Sequence, residues 1–235
     1  MNDTVYENIL IGNFLYFLGY QSCLIHHQNK QEKPEKVSAN SAQKTPAKDV
    51  HRAINLFQQT PTDRLLGDVH LNFGGRNLLI EFKAFNNESD TKENNKRESL
   101  IDKIKQLEPN ERKDMLSFSH KCHYLGYQSD PERFTLDFVK YVDLQSKFPP
   151  CEMLSFSNKI LTDNDTGVER DNFKRYLEIL KAALVKSGRS FSTAGIHINI
   201  SDDDQFTFTI CSSIEELVDA ISDALENTLT AAPQG

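Results

Sequence analysis

Two acids and a lysine stand out in a stretch of the sequence that otherwise suits β-strands. They are Asp68, Glu81 and Lys83, in the segment GDVHLNFGGRNLLIEFKAF. Carboxylate oxygens are ligands for hard divalent cations, and a lysine beside them stabilises negative charge that develops on a phosphate oxygen. This chemistry requires the three side chains to lie close together. The fold of the segment therefore decides whether they can form one site.

A turn at Gly74–Gly75 predicts that the three side chains do meet. Adjacent glycines tolerate the positive φ angles of a two-residue hairpin turn. Counting outward from this turn pairs Asp68 directly with Glu81, which places their Cβ atoms about 4.5–5.5 Å apart. Lys83 then lies on the same face of the hairpin, about 6.6 Å further along the strand.

The two faces of the predicted hairpin differ in character. One face is apolar and is expected to pack on a core; it carries Val69, Leu71, Phe73, Leu78, Ile80 and Phe82. The other face is mainly polar and carries Asp68, His70, Asn72, Asn77, Glu81 and Lys83. Two opposed carboxylates repel each other, which favours a bound cation on this face. The alternative is that the acids and the lysine form the solvent-exposed side of an antiparallel hairpin.

The surrounding sequence predicts an α/β domain over residues 1–150. A helix is predicted for residues 4–19, followed by a short strand at YQSCLIHH, residues 20–27. Residues 28–49 contain a single large aliphatic residue and are interpreted as a flexible insertion. Further elements are an amphipathic piece at VHRAINLF, the hairpin, a polar run, a helix over about residues 99–107, a helix around ERKDMLSF, and strands at CHYLGYQ and RFTLDFVKYVDL.

This pattern resembles the PD-(D/E)XK nuclease superfamily, whose members are restriction-endonuclease-like. Asp68 is similar to the first acid of the signature, and Glu81-Phe82-Lys83 to its acid-x-lysine triplet. The order of helix, strand, hairpin, helix and strand resembles the αβββαβ core of that superfamily over residues 4–127. No glutamine-x-x-x-tyrosine pattern follows the triplet, so no subfamily is assigned.

The resemblance implies a nuclease that uses Mg²⁺ or Mn²⁺ to hydrolyse phosphodiester bonds of DNA, or of RNA. It implies Asp68, Glu81 and Lys83 as the catalytic residues. The expected metal ligands are Asp68, Glu81 and the backbone carbonyl of Phe82. Glu7 on the first helix and His70 on the polar face are auxiliary candidates, although a lone histidine is more often a hydrogen-bonding neighbour than a proton acceptor.

Lys96, Arg97 and Lys103 are candidate contacts for nucleic-acid phosphates. They lie in or near the helix predicted after the hairpin. The alternative interpretation is that these three residues form the solvated face of that helix.

Residues 151–235 are predicted to form a separate α-β-β-α accessory unit. A helix at about residues 169–186 precedes AGIHINI and QFTFTIC, which alternate as a hairpin, and an amphipathic helix follows. The unit has no clustered acid, base or nucleophile, so we interpret it as a docking surface for a protein partner or for a second copy of the chain. The alternative function is therefore a catalytically inactive, nuclease-like subunit that binds a protein partner.

Composition limits the other classes of function. The formal net charge of −7 argues against a protein that coats nucleic acid through bulk positive charge. The four cysteines form no CxxC pair, and HKCH, residues 120–123, is interpreted as a helix end that enters a strand. The apolar stretch ILIGNFLYFLGY is shorter than a bilayer requires, so a cytoplasmic protein without membrane contact is expected.

Overall fold

The chain has a mixed α/β fold, as predicted. The computed structural model describes residues 7–31, 52–57, 68–73, 75–84, 91–130, 135–143, 149–184, 195–200 and 206–211. The elements are α1 (Glu7–Gln31), β1 (Arg52–Phe57), β2 (Val69–Phe73), β3 (Arg76–Lys83), α2 (Thr91–Lys105), α3 (Pro109–Cys122), β4 (His123–Asp130), β5 (Thr135–Lys140), β6 (Cys151–Glu152), α4 (Met153–Thr162), α5 (Arg170–Leu184), β7 (Gly195–Ile200) and β8 (Phe206–Cys211). Within these residues one eight-stranded sheet has the order β6-β5-β4-β3-β2-β1-β7-β8. All neighbouring strands are antiparallel except β3 and β4, which are parallel.

Alternation along the central strands sends side chains into two hydrophobic cores, one on each face of the sheet. Helices α1 and α4 cover one face, where Phe14 packs on Phe82 and Phe138. Helices α2, α3 and α5 cover the other face, where Leu79 lies in a core with Phe173. Residues that alternate with Phe82 on β3 therefore point toward α2 and α5.

The register predicted for the hairpin is confirmed along its whole ladder. Phe73 pairs with Arg76, and the last ladder pair is Val69 with Ile80. Gly75 has a φ of +80°, as the turn requires, while Gly74 is outside the described residues. Asp68 directly precedes β2, and its amide donates to the carbonyl of Ile80 at 3.0 Å.

The predicted ladder pair between Asp68 and Glu81 needs a correction. The regular pairing ends one residue earlier, at Val69. At Asp68 the backbone amide still donates to Ile80, but the amide of Phe82 on the facing strand donates to the Asp68 carboxylate rather than to a strand carbonyl. Both side chains nevertheless belong to the same end of the hairpin.

Helix α1 replaces the short strand predicted at residues 20–27. Buried side chains at four-residue spacing, at Leu10, Phe14 and Leu18, lead up to that segment and end at Ser22 within it. The part of α1 before this segment packs in the core, and the helix continues through YQSCLIHH against its local β-preference, because propensity is a weak determinant. Three strands precede α2, and the first of them is β1. It lies in VHRAINLF, which was predicted only as an amphipathic piece, and not in YQSCLIHH.

The end of α1 changes two further predictions. Residues 28–31 are helical, and the rest of the predicted flexible insertion lies outside the described residues. By length and composition alone, Glu7–Ile25 is long and apolar enough to cross a membrane, a property that core helices of soluble proteins share. The argument from shortness therefore fails, and the cytoplasmic location remains a prediction.

Helix α2 begins at Thr91, well before its predicted start. Its first turns come from the polar run after the hairpin, and they place Glu93 and Arg97 on the same buried face as Leu100 and Ile104. Further on, α3 ends at Cys122 and β4 begins at His123, so HKCH is a helix end that enters a strand, as predicted.

Residues after 150 share the cores of the residues before them. Phe156 of α4 lies in the core under α1, and Phe173 and Tyr176 of α5 are fully buried in the other core. Strand β7 extends the same sheet by pairing with β1. The boundary predicted at residue 150 therefore does not coincide with a gap between hydrophobic cores. The helix predicted after the last strand lies outside the described residues.

Candidate active site

Six charged side chains meet at the open end of the β2–β3 hairpin, between the first turns of α1 and α2. We call them the ion cluster; its members are Glu7, Asp68, Glu81, Lys83, Glu93 and Lys96. Period-two alternation puts Glu81 and Lys83 on one face of β3, and the hairpin register brings Asp68 beside them. The three residues predicted from the motif are therefore close together.

Four of the six members of the ion cluster are buried, which contradicts the alternative of a solvent-exposed polar face. Glu93 and Glu81 are 3% and 5% exposed, and Lys83 and Asp68 are 8% and 9% exposed. Moving a charge out of water costs several kcal/mol unless it is well paired. Such concentrated burial of charge is more common at functional sites than elsewhere, which favours a functional role.

The ammonium of Lys83 lies at the centre of the cluster. Its Nζ donates to Glu81 Oε1 at 2.9 Å and to the backbone carbonyl oxygen of Phe82 at 3.1 Å. It also lies 3.5 Å from Glu7 Oε1 and 3.7 Å from Glu93 Oε2. Burial alone lowers the pKa of Lys83, but the nearby carboxylates outweigh it and raise that pKa above its usual range. Lys83 is therefore a fixed positive charge.

Asp68 holds the backbone of the acid-x-lysine triplet. Its Oδ2 accepts a hydrogen bond from the amide of Phe82 at 2.6 Å. A buried amide needs a partner, and here a side chain supplies the acceptor that a strand carbonyl supplies elsewhere in the sheet. Asp68 thereby fixes the peptide segment that also carries the Phe82 carbonyl.

Burial and neighbouring charges oppose the negative charge of Glu81. Burial raises its pKa, and the neighbouring charges of Asp68 and Glu93 raise it further, to about 8. The pKa of Glu7 is also raised, mainly by burial. Lys96 and Lys83 oppose the rise at Glu81, and a divalent cation in the same place would likewise compete with a proton for the Glu81 carboxylate.

Glu93 is a member of the cluster that the motif does not include. The Tyr141 hydroxyl donates to Glu93 Oε1, and Lys96 Nζ lies 3.1 Å from Glu93 Oε2. Burial raises the pKa of Glu93, but Lys96, the Tyr141 hydroxyl and Lys83 together lower it below its usual value. Helical spacing in the sequence could have identified Glu93, because Glu93 begins the buried face of α2 that continues at Arg97.

The three predicted nucleic-acid contacts have different surroundings. Lys96 belongs to the ion cluster and lies 3.6 Å from Glu81 Oε1. Arg97 is 8% exposed and donates from Nε to the Tyr141 carbonyl at 2.7 Å, so it points into the protein. Lys103 is half-buried and follows Lys96 by seven residues, which places it about 10 Å along α2.

His70 lies on the polar face of the hairpin but underneath α5. Its Nε2 forms a hydrogen bond with Asn77 Oδ1 at 3.0 Å, and its ring stacks on Phe173. Asn77 also accepts from Asn72 and donates to the carbonyl of Val168. This buried network favours the structural interpretation of His70 over proton transfer.

The ion cluster contains the types of donor atom that a hard divalent cation prefers. Four carboxylates and two lysines leave a formal excess of two negative charges over these six side chains. Mg²⁺ prefers carboxylate and carbonyl oxygens. Across the described ranges, no three Asp, Glu, His or Cys side chains are spaced to hold a metal ion as they stand. The Lys83 ammonium occupies the position between Glu81 Oε1 and the Phe82 carbonyl oxygen.

Comparisons with known proteins add no family to this chemistry. No protein-family model, curated protein or solved structure matches the chain.

Proposed function

We propose that this protein is a metal-dependent nuclease of the PD-(D/E)XK type that hydrolyses phosphodiester bonds of DNA. The carrying observation is the convergence of two expected ligand oxygens on one cationic group: Glu81 Oε1 and the Phe82 carbonyl oxygen lie 2.9 and 3.1 Å from Lys83 Nζ. Asp68 binds the amide of the same segment. Buried oxygens that converge in this way are suited to a cation, and the cluster has an excess of acids for it.

The order of the elements supports a restriction-endonuclease-like core. The chain runs α1, β1, β2, β3, then α2 and α3, and then β4. This is an αβββαβ order with two helices before the last strand. The first acid immediately precedes one strand of the hairpin and the acid-x-lysine triplet ends the other, which is the arrangement that the motif resemblance implies.

Asp68, Glu81 and the Phe82 carbonyl would hold Mg²⁺ or Mn²⁺, with Glu7 as an additional carboxylate. The ion supplies Lewis-acid activation of the scissile phosphate. The hydrogen bond from the Phe82 amide to Asp68 holds two of these groups in a fixed relation before any ligand arrives. Such preorganisation is what electrostatic catalysis requires.

Lys83 would act through its charge rather than by taking a proton. Its carboxylate neighbours keep its pKa above the usual range, so the amine stays protonated. A fixed ammonium beside a phosphate stabilises the negative charge that develops during hydrolysis, and it lowers the pKa of a nearby water. Lys83 and Asp68 are therefore the residues whose loss tests the proposal.

Cleavage of labelled single- and double-stranded DNA and RNA tests this function directly. We expect the wild type to cleave at least one of these substrates with Mg²⁺ or Mn²⁺, and not with EDTA. Asp68→Asn and Lys83→Gln are each expected to slow cleavage by roughly 100-fold or more, because each removes a preorganised charge. Asp114→Asn and Lys113→Gln, at exposed positions of α3, are the matched controls and should cleave at the wild-type rate.

Equal cleavage by the wild type and both site variants would rule out this active site. A folded wild type that cleaves none of the four substrates would favour the inactive, partner-binding subunit instead. The choice between DNA and RNA follows from the substrate that is cleaved.

A further inference from the structure

We propose that Glu93 is a positioning residue that receives the Lys83 ammonium when a divalent cation binds at Glu81. The inference rests on the proposed metal site. It adds the step in which the Lys83 ammonium leaves Glu81 for Glu93 and makes room for the cation. Glu93 comes from the first turn of α2, outside the acid-x-lysine motif, and Tyr141 holds its carboxylate.

The Lys83 ammonium and a bound cation compete for the same oxygens. Nζ lies within 3.1 Å of both Glu81 Oε1 and the Phe82 carbonyl oxygen. Two cations at such short range repel strongly where little water screens them. Lys83 is only 8% exposed, so its displaced ammonium needs another carboxylate nearby rather than water.

Glu93 is better suited than Glu7 to accept this ammonium. Glu93 Oε2 lies 3.7 Å from Lys83 Nζ, and Glu7 Oε1 lies 3.5 Å from it, so distance does not decide. The side chain of Glu7 is 27% exposed, whereas that of Glu93 is 3% exposed. A charge pair that excludes water is screened less, and Glu7 is in addition a carboxylate that would face the ion itself.

Tyr141 and Lys96 define the position of the Glu93 carboxylate. The Tyr141 hydroxyl binds Oε1, which leaves Oε2 for the two lysines. Lys96 Nζ lies 3.1 Å from Glu93 and 3.6 Å from Glu81, so a cation at Glu81 drives it toward Glu93 as well. Glu93 is thus the shared counter-ion of both lysines when the cation is bound.

Mn²⁺ binding to the full chain, followed by the electron paramagnetic resonance of the free ion, tests this inference. Glu93→Gln is expected to weaken Mn²⁺ affinity roughly 10–100-fold, the usual effect of losing a partner that orients a metal site. Tyr141→Phe should weaken it less, because the carboxylate remains but loses its anchor. Glu98→Gln, at an exposed position of the same helix, is the matched control and should bind as the wild type does.

A second measurement separates an action through Lys83 from a general loss of structure. In a Lys83→Met background the ammonium that Glu93 receives is gone, so Glu93→Gln should cost several-fold less affinity than it costs in the wild type. The same loss in both backgrounds would contradict the proposed exchange. Thermal unfolding of each variant without metal identifies variants that do not fold.

The remaining outcomes are also decisive. Unchanged Mn²⁺ affinity in folded Glu93→Gln overturns the role of Glu93 while leaving the metal site intact. If Glu93→Gln does not fold, unchanged affinity in Tyr141→Phe overturns it in the same way. A wild type that binds no Mn²⁺ overturns both the metal site and this exchange.

Discussion

Glu81 and Lys83 lie in contact in a place where a charge without a partner is strongly disfavoured. Their side chains are 7% and 10% exposed and are joined at 2.9 Å. Removing one partner of such a pair leaves a buried, uncompensated charge, which is far more destabilising than the pair is stabilising. Substitutions in the ion cluster therefore have to be compared at matched pH and with a measured stability.

The raised pKa of Glu81 predicts how stability depends on pH. Because the pKa is about 8 in the folded chain and ordinarily 4.5, the folded state retains a proton that the unfolded chain has lost between these values. The contribution of Glu81 to stability is therefore full below about pH 4.5 and is lost as pH rises through 8. Glu81→Gln has no such proton to lose, so urea unfolding at pH 5 and pH 9 should show a smaller fall in the variant.

The size of this effect is expected to be on the order of a few kcal/mol, since each unit of pKa shift corresponds to about 1.4 kcal/mol. The lowered pKa of Glu93 acts in the opposite direction and only in acid, where protonation removes its contribution. An equal fall in wild type and Glu81→Gln between pH 5 and pH 9 would show that Glu81 is not the responsible group. Glu98→Gln serves again as the exposed control.

At the scale of elements, the sequence predicts structure correctly where residues close together in the chain determine it. The hairpin register follows from two glycines and strict alternation, so Phe73 and Arg76 could be paired from the sequence. The strand predicted at residues 20–27 is wrong because α1, whose Phe14 and Leu18 pack in a core that the sequence does not display, continues through this segment. Tyr141 could not be placed beside Glu93 because they are 48 residues apart.

The close contact between β3 and β4 gives a prediction about Gly126. A Cβ atom at this position would lie 2.9 Å from Phe138 Cε1 and 3.1 Å from the Phe82 ring. Gly126→Ala is therefore expected to lower the free energy of unfolding by roughly 1–3 kcal/mol, the usual cost of overpacking a core. Urea denaturation gives the value.

Gly12→Ala is the matched control for this substitution. A Cβ at Gly12 meets no atom within 4 Å, and alanine is favoured over glycine in a helix by roughly 0.5–1 kcal/mol. The control should therefore be neutral or stabilising. Equal stability of the two variants would mean that the rings of Phe82 and Phe138 move aside without cost.

At the scale of the molecule, residues after 150 complete the cores that support the site. Phe173 of α5 stacks on His70, and Tyr176 binds His123, whose ring stacks on Tyr141 at 3.8 Å. Burial lowers the pKa of His123 to about 3, so this histidine is neutral and acts as a packing and hydrogen-bonding group. The arrangement connects α5 with the anchor of Glu93.

Truncation of the chain after residue 150 should therefore abolish folding rather than release an independent domain. The shortened chain would expose the apolar surface that Phe156, Phe173 and Tyr176 cover. We expect it to lose the cooperative thermal transition of the full chain and to be digested rapidly by protease. A truncated chain that unfolds cooperatively would support the boundary predicted from the sequence.

The parallel pairing of β3 and β4 also determines the order in which the contacts of the site form during folding. Glu81, Lys83 and Asp68 belong to a hairpin that closes locally, whereas Glu93 and Lys96 lie in a crossover of about 40 residues that must close before β4 joins β3. Local contacts form faster than contacts between distant residues, because closing a longer loop costs more entropy. During refolding, Asp68 and Glu81 should therefore meet before Glu93, the residue proposed to receive the Lys83 ammonium, reaches them. Stopped-flow measurements of Mn²⁺ binding should accordingly lag behind hairpin formation.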